Sequence, residues 1–173
     1  MPGLTSSPTA SETATPSPTP SATIDYSDAE LGILFEGDAG QWSGLEAEVY
    51  HWTAQLETEY WRTMTTNTAS GVFGTIASPE IEARMQQIAA DNTGIQAKIG
   101  GVYRVDVQEV VVEGDSARSV VCLDYAEATF TDPTGSWTSE DVGLGGEIRE
   151  ELSWARVADR VWVVLTSTVT ETC

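Results

Sequence analysis

Basic residues are scarce in this chain, which carries 8 lysines and arginines against 27 aspartates and glutamates and has a formal net charge of −19. Its only lysine is Lys98. The acidic residues are spread over the whole length, so we expect a generally anionic surface and not an acidic tail. Such a surface repels phosphate backbones, which argues against nucleic acid as a partner. It also favours a soluble monomer, with a homodimer as the alternative.

Chemical motifs are scarce as well. The chain has one histidine, His51, and a lone helical histidine is more typical of a surface or packing position than of a catalytic base. No second histidine and no G-x-S-x-G pattern completes a nucleophilic triad, and no spacing typical of a metal site is present. We therefore expect no cofactor and no metal. Since no run of about 18 apolar residues occurs, no transmembrane helix is predicted.

Residues 1–23 differ in composition from the rest. Five of the chain's 7 prolines lie between Pro2 and Pro20, among many serines and threonines. This stretch cannot bury enough apolar surface to offset its ordering entropy, so we predict a disordered, extended tether. Such tracts recur in exported bacterial proteins, and an ordinary cytosolic linker is the alternative. A lipid anchor in a precursor is left open. Residues 24–173 are predicted to form one domain.

Two segments have the periodicity of amphipathic helices. The first begins at Ser43, a candidate N-cap with Glu46 suited to a capping box, and runs to about Thr65. Its apolar stripe comprises Leu45, Val49, Trp52, Leu56, Tyr60 and Met64. Its glutamates are expected to face away from that stripe or to flank it: Glu46, Glu48, Glu57 and Glu59. The second helix is predicted from Ser78 to about Gly94, which suits the left-handed position after a helix.

After residue 99 the apolar period changes from that of a helix to that of a strand. Strands are predicted at residues 101–112, 117–130, 147–157 and 161–173, with a bulge near Gln108 and Glu109. Residues 24–42 are harder to interpret, with a short helical turn around Leu31–Phe35. Helices followed by a meander imply an α+β fold. We expect a curved antiparallel sheet of about four or more strands, with two or three N-terminal helices packed on one face.

The two cysteines, Cys122 and Cys173, are predicted to form a disulfide. Both lie on strands whose same face is apolar, and the tether composition suggests an oxidising compartment. A bridge closing this loop is worth about 4 kcal/mol in the chain-entropy model. The alternatives are two free thiols or a pair of metal ligands.

Two carboxylates are weak catalytic candidates. Asp124 shares a strand face with apolar residues, and Asp106 lies similarly on the preceding strand. A carboxylate in such a position can have a raised pKa and serve in proton transfer. Alternatively the face turns to solvent there, or Arg104 or Arg118 pairs with the carboxylates.

Aromatic residues crowd the first helix and mark either core or one wall of an apolar pocket. They are Tyr50, Trp52, Tyr60 and Trp61.

This pattern resembles the NTF2-like (cystatin-like) superfamily: an opening amphipathic helix, a second short helix and a long meander of bent strands. The closing segment, residues 156–169, resembles that superfamily's final hairpin, in which a turn precedes a strand bearing a tryptophan, here Trp162. Arg160 stands where glycine is common. More narrowly, the chain is similar to exported lipoproteins of actinobacteria. The resemblance implies a cone formed by sheet and helices, and in such proteins a mid-sheet and a C-terminal cysteine are commonly paired.

Three functions follow as hypotheses. The first is a non-enzymatic extracytoplasmic module of the cell envelope, secreted or surface-anchored, that binds a small apolar ligand or an envelope protein. The second is an isomerase- or cyclase-type enzyme with Asp124 or Asp106 as base and Tyr103 or Tyr125 as hydrogen-bond donor. The third is a structural subunit of an envelope assembly. Superfamily members include both enzymes and binding proteins, so the fold alone does not choose among them.

Overall fold

The computed structural model describes residues 24–173, so the predicted tether lies outside the described range. Within that range the chain forms three helices, α1 (Gly44–Thr66), α2 (Phe73–Ile76) and α3 (Pro79–Gly94), and a short 3-10 turn at Ala39–Gln41. It also forms eight strands: β1 (Ile33–Glu36), β2 (Lys98–Gly101), β3 (Tyr103–Glu113), β4 (Ser116–Asp124), β5 (Ala128–Asp132), β6 (Gly135–Trp137), β7 (Glu147–Ala158) and β8 (Val161–Glu171). The α+β prediction is confirmed.

The main sheet has five strands in the order β1-β3-β4-β7-β8. Strands β3, β4, β7 and β8 pair antiparallel as expected, and the bulge in β3 falls between Val107 and Glu109. The sheet is nevertheless mixed, because β1 pairs parallel to β3. The helical turn expected around Leu31–Phe35 is therefore wrong, since residues 33–36 add a strand to the edge of β3. Gly32 permits this approach: a Cβ there would lie 2.3 Å from the carbonyl oxygen of Gly101.

A second sheet, in the order β2-β5-β6, accounts for another difference from the sequence prediction. Residues 117–130 were expected as one strand, but they divide into β4 and β5 at a turn. The side chain of Asp124 accepts a hydrogen bond from the amide of Ala126, with an N–O distance of 2.7 Å, and so stabilises the turn. Strand β5 then leaves the main sheet and pairs with β2.

The helix boundaries agree with the prediction to within about one residue, but their capping differs. Ser43 occupies the N-cap position of α1 without a side-chain hydrogen bond, so the expected capping box is absent. Ser78 does cap α3, where its hydroxyl accepts from the amide of Ile81. The left-handed residue after α3 is Gln96, with φ 56°, and not Gly94, which is the last helical residue.

Helix α1 lies against the main sheet, and the core fills the space between them. The hydroxyls of Thr53 and Ser119 are 2.9 Å apart across this interface. The largest fully buried side chains are Trp61, Trp154, Trp162, Tyr103, Tyr125 and Phe73. Three residues depart from the predicted stripe of α1. Leu45 is exposed, whereas Glu57 and Glu59, expected to face away from or flank the stripe, are only 3% and 7% exposed.

Residues 24–42 pack onto this domain. The Tyr26 ring makes an edge contact with Tyr50, with centroids 5.6 Å apart, and its hydroxyl lies 3.0 Å from Nδ1 of His51. The indole N–H of Trp61 donates to the carbonyl of Leu31 at 3.0 Å. Through these contacts the segment is held against α1 at Tyr50 and His51 in its first half and at Trp61 in its second half.

The predicted disulfide is present. Cys122 in β4 is joined to Cys173, with their Cα atoms 6.0 Å apart and a sequence separation of 51. Within residues 24–173, none of the helices combines the length and the apolar character needed to cross a bilayer.

Candidate functional site

A cavity of about 120 Å³ lies between α1, α3 and the inner face of the main sheet. Most of its wall is apolar, contributed by leucine, isoleucine, methionine and aromatic side chains. Two carboxylates interrupt this wall, Glu57 from α1 and Glu150 from β7. An apolar cavity with a few convergent polar groups is the usual form of a small-molecule site.

Glu57 is the most deeply buried carboxylate at the cavity. Its Oε2 accepts a hydrogen bond from the Tyr103 hydroxyl at 2.7 Å. Burial, followed by the charge of Glu150, raises the pKa of Glu57 to about 8, against the opposing effect of the Tyr103 hydrogen bond. At neutral pH Glu57 is therefore mainly protonated. Its other oxygen, Oε1, has no hydrogen-bond partner within residues 24–173.

Glu150 is partly buried on β7, and its Oε1 accepts a short hydrogen bond from the Ser167 hydroxyl on β8. Burial raises the pKa of Glu150, while the Ser167 hydrogen bond and the positive charge of Arg84 oppose the rise. In the part of the chain that the structure describes, neither Glu57 nor Glu150 forms a salt bridge. The charge of Glu150 therefore helps to keep Glu57 protonated, and the positive charge of Arg84 acts on Glu150 without forming a salt bridge.

Three tyrosines stand beside these carboxylates. The Tyr125 hydroxyl donates to the Tyr60 hydroxyl at 3.2 Å, and the rings of Tyr103 and Tyr125 have centroids 4.9 Å apart. Burial raises the pKa of Tyr60 to about 12, and it also raises the pKa values of Tyr103 and Tyr125. All three phenols therefore stay protonated at neutral pH. Tyr60 and Tyr125 line the cavity and present neutral hydroxyls there, whereas the Tyr103 hydroxyl is used by Glu57.

A second cavity of about 370 Å³ adjoins the first, since Tyr60, Arg84 and Leu144 line both. We call them the inner and the outer cavity. The outer cavity lies between α1, α3, the small sheet and the loop before β7. Trp137, on its wall, is 43% exposed, so this cavity faces solvent. Asp132 adds a third carboxylate to the combined walls, and Arg84 is their one basic residue among those described.

The two aspartates proposed from the sequence lie elsewhere. Neither Asp106 nor Asp124 lines the inner or the outer cavity. Asp106 is opposite Cys122 on the other face of the main sheet, where burial and the charge of Glu36 raise its pKa. Asp124 stabilises the turn after β4. Arg104 pairs with Glu36 and Glu127 instead of either aspartate.

Of the four aromatic residues proposed for a pocket, Tyr60 alone lines a cavity among the described residues. Trp61 is fully buried and stacks on Tyr103, with ring centroids 5.0 Å apart. Tyr50 packs against Tyr26. The indole N–H of Trp52 donates to the carbonyl of Arg160 at 2.8 Å, which ties α1 to the turn between β7 and β8. Of the two tyrosines expected as hydrogen-bond donors, Tyr103 donates to a carboxylate, that of Glu57, and Tyr125 donates to the Tyr60 hydroxyl instead.

Glu57 and Glu150 are the site residues that the sequence reasoning missed. A usable signal existed in the spacing. Glu57 comes eight positions after Val49 and four before Trp61, both fully buried, and so lies on the inward face of α1. Glu150 alternates with Ile148 and Leu152 on β7, which places it on the core face of that strand.

Comparison with known proteins does not identify the chain. No model of a protein family matches it, and no curated protein does. The intermembrane space region of chloroplast protein ARC6 is 13% identical, with a TM-score of 0.49 over 79% of this chain and 99% of that one. A structure from Catenulispora acidiphila is 11% identical, with a TM-score of 0.43 over 73% and 94%. A designed β-sheet protein is 16% identical, with a TM-score of 0.40 over 72% and 89%. None names the NTF2-like superfamily, so that resemblance stays a prediction.

Proposed function

We propose that this protein is an extracytoplasmic binding module whose inner and outer cavities together hold one small, mostly apolar ligand with a polar end. The outer cavity would hold the apolar body, and the hydroxyls and carboxylates of the inner cavity would orient the polar end. The adjoining cavities are the observation that carries this proposal. Their volume falls in the range of about 300–1,000 Å³ that is typical of small-molecule sites.

The free-energy cost of burying a carboxyl group at the inner cavity supports a binding role. A carboxyl group in an apolar interior lowers the free energy of unfolding unless partners satisfy it. Glu57 is only 3% exposed, and its Oε1 has no partner among the described residues but keeps some contact with solvent, whereas a leucine at this position would extend the apolar stripe of α1. A site prepared for a ligand accounts for such a group, because the ligand completes its hydrogen bonds.

The extracytoplasmic location is supported by two features. The Cys122–Cys173 disulfide is of the kind that persists in oxidising compartments. The Ser/Thr/Pro-rich composition of residues 1–23 suits a spacer that holds a domain away from a surface. The alternative within this proposal is that the partner is a cell-envelope protein. Such a partner would bind the outer surface of the domain and leave the two cavities empty.

Indole tests the proposal, because it is neutral, fits the outer cavity and carries one hydrogen-bond donor. We expect saturable shifts in the amide NMR signals of residues at the cavity walls when indole is titrated into ¹⁵N-labelled protein. Leu144→Trp, at the shared wall, should fill the cavity and weaken binding about tenfold or more. Val157→Trp is the matched control, because Val157 is exposed and lines neither cavity. Unsaturable shifts, or equal affinity in both variants, would exclude ligand binding in the cavities.

A second candidate function is proton transfer catalysed by Glu57. The observation that favours it is the carboxylate near its pKa at physiological pH, beside the Tyr103 hydroxyl in a largely apolar site. The base would be Glu57 and not the aspartates proposed from the sequence. Elimination of 5-nitrobenzisoxazole, a general probe of carboxylate bases, should then increase with pH around 8 and disappear in Glu57→Gln. A rate that Glu57→Gln leaves unchanged would remove this candidate.

A further inference from the structure

The walls of the two cavities carry three carboxylates and one guanidinium, and this excess of negative charge indicates the charge of the ligand. Glu57 and Glu150 lie at the inner cavity and Asp132 at the outer one. Arg84 is exposed and forms no salt bridge with any of the described residues. Because Glu57 is mainly protonated in the free protein, an anionic ligand would face the charges of Glu150 and Asp132. A cationic ligand would be attracted by them and would favour the ionised form of Glu57 as well.

The geometry of Glu57 also favours a cationic ligand. Tyr103 occupies its Oε2, while Oε1 has no partner within the described residues and the side chain lines the inner cavity. The aromatic rings of Tyr60, Phe73 and Tyr125 also line this cavity. Ring faces attract ammonium groups, so the wall offers a cation both carboxylate oxygens and π-faces.

We infer that the cavities bind a small amphiphilic amine, with its ammonium group between the Glu57 and Glu150 carboxylates and its apolar body in the outer cavity. This inference rests on the proposed ligand-binding function and names the chemical class of the ligand. The ammonium group supplies the counter-ion that the two carboxylates lack. The negative net charge of the chain also increases the local concentration of cations and their rate of association.

Amine binding then releases a proton. In the free protein Glu57 holds a proton at neutral pH, and an ammonium group replaces it. The ionisable groups that face Glu57 come from five elements or adjoining turns: Tyr60 on α1, Arg84 on α3, Tyr103 on β3, Tyr125 after β4 and Glu150 on β7. The tyrosines stay neutral between pH 6 and pH 8, so the proton comes from the Glu57–Glu150 pair. Amine affinity is therefore expected to rise from pH 6 to pH 8.

The test compares 2-phenylethylamine with 2-phenylethanol, which has the same apolar body and a neutral end. Calorimetric titration at pH 8 should give an affinity for the amine about tenfold or more above that for the alcohol. Titration at pH 6.5 in phosphate and in Tris buffers, which differ in ionisation enthalpy, should show release of about one proton for each amine bound and none for the alcohol.

Two variants and a control test whether the preference for the amine depends on the carboxylates of the inner cavity. Glu57→Gln and Glu150→Gln should each weaken amine binding about tenfold or more and should weaken alcohol binding by a smaller factor. Asp106→Asn removes a carboxylate from the opposite face of the sheet and should leave both affinities unchanged. The proton-release measurement uses the wild-type protein. It therefore tests whether an amine binds at the Glu57–Glu150 pair even if a glutamine variant fails to fold.

The outcomes separate this inference from the function on which it rests. Equal affinity for amine and alcohol, or tighter binding of phenylacetate, would overturn the amine inference and leave the ligand-binding proposal in place. Amine binding without proton release would also overturn it. Absence of binding by indole, amine and alcohol alike would overturn both.

Discussion

Tyr103 on β3 donates its phenolic hydrogen to Oε2 of Glu57 on α1, 2.7 Å away, and so joins helix and sheet at the wall of the inner cavity. The hydrogen bond is fully enclosed, since Tyr103 is inaccessible to solvent and Glu57 is 3% exposed. It stabilises the ionised form of Glu57, whereas burial stabilises the neutral form by a larger amount. The position of this titration near pH 8 is the balance of these opposing effects.

The stability of the protein is expected to fall as pH rises through the interval from about 4.5 to 8. The unfolded chain loses the Glu57 proton at the lower value and the folded chain at the higher one, so folding binds a proton in between. Glu57→Gln removes this dependence and should raise the free energy of unfolding at pH 8 by on the order of 4 kcal/mol, with little effect at pH 4. Urea unfolding at the two pH values measures this.

Glu113→Gln is the control for that experiment, because Glu113 is an exposed carboxylate at the end of β3. Glu113→Gln should leave the difference in the free energy of unfolding between pH 4 and pH 8 as it is in the wild type. A Glu57→Gln variant that is no more stable than the wild type at pH 8 would contradict the raised pKa.

Replacing Tyr103 by phenylalanine should raise the pKa of Glu57 further, since the hydrogen bond from Tyr103 favours the ionised carboxylate. The midpoint of the Glu57 carboxyl ¹³C signal, followed by NMR against pH, should move upward. Tyr26→Phe is the matched control, because the Tyr26 hydroxyl is hydrogen-bonded to His51 outside the cavities. A downward movement in Tyr103→Phe would mean that the phenol stabilises the neutral acid instead.

The two serine N-caps are expected to differ in their contribution to stability. Ser78→Ala removes the hydroxyl that accepts from the amide of Ile81, along with its bond to the carbonyl of Leu165, and should cost about 1 kcal/mol. Ser43→Ala removes no side-chain cap hydrogen bond and should change the free energy of unfolding by less than about 0.5 kcal/mol. Chemical denaturation of both variants makes the comparison. Equal losses would mean that Ser43 caps α1 in solution.

Arg160 is the left-handed residue of the turn between β7 and β8, with φ 57°. Arg160→Gly should stabilise the protein by about 0.5–1 kcal/mol, because glycine adopts this conformation without steric cost. The ion pair with Glu48 at 3.7 Å contributes little against this gain, since Arg160 is largely exposed. Asp159→Gly, the neighbouring position with ordinary φ, should instead destabilise the protein. A lower melting temperature for Arg160→Gly would contradict the argument.

The elements with strong periodicity were predictable from the sequence, whereas for the site the sequence holds only the inward spacing of Glu57 and Glu150. Helix α1 and strands β3, β7 and β8 follow their apolar patterns closely, and the bulge in β3 was visible as a slip in alternation. Strand β1 was missed because its pairing with β3 is parallel and long-range, which four residues of local sequence do not encode. The division of 117–130 depends on the turn chemistry of Asp124, which was interpreted as a candidate base.

Glu57 shows why local sequence is also a poor guide to the site. A glutamate on a helix is usually solvated, and this expectation placed Glu57 away from or beside the apolar stripe of α1. Its burial depends on Tyr103, which lies 46 positions later and meets it only through the packing of β3 on α1. Glu150, in turn, becomes a site residue because β8 brings Ser167 beside it. Such groups are identified by what the fold brings together across distant segments.

The disulfide between β4 and Cys173 also determines how the domain would respond to a pulling force. Stretching the chain between Ile24 and Cys173 would load the backbone only as far as Cys122, where the force would pass through the sulfur atoms. Residues 123–172 would stay in a closed loop and would not lengthen until the bridge was reduced. Strand β1, at the sheet edge nearest the N-terminal end, would bear the load first. The half of the domain that contains Glu150 is thus mechanically isolated from the end to which the predicted tether is joined.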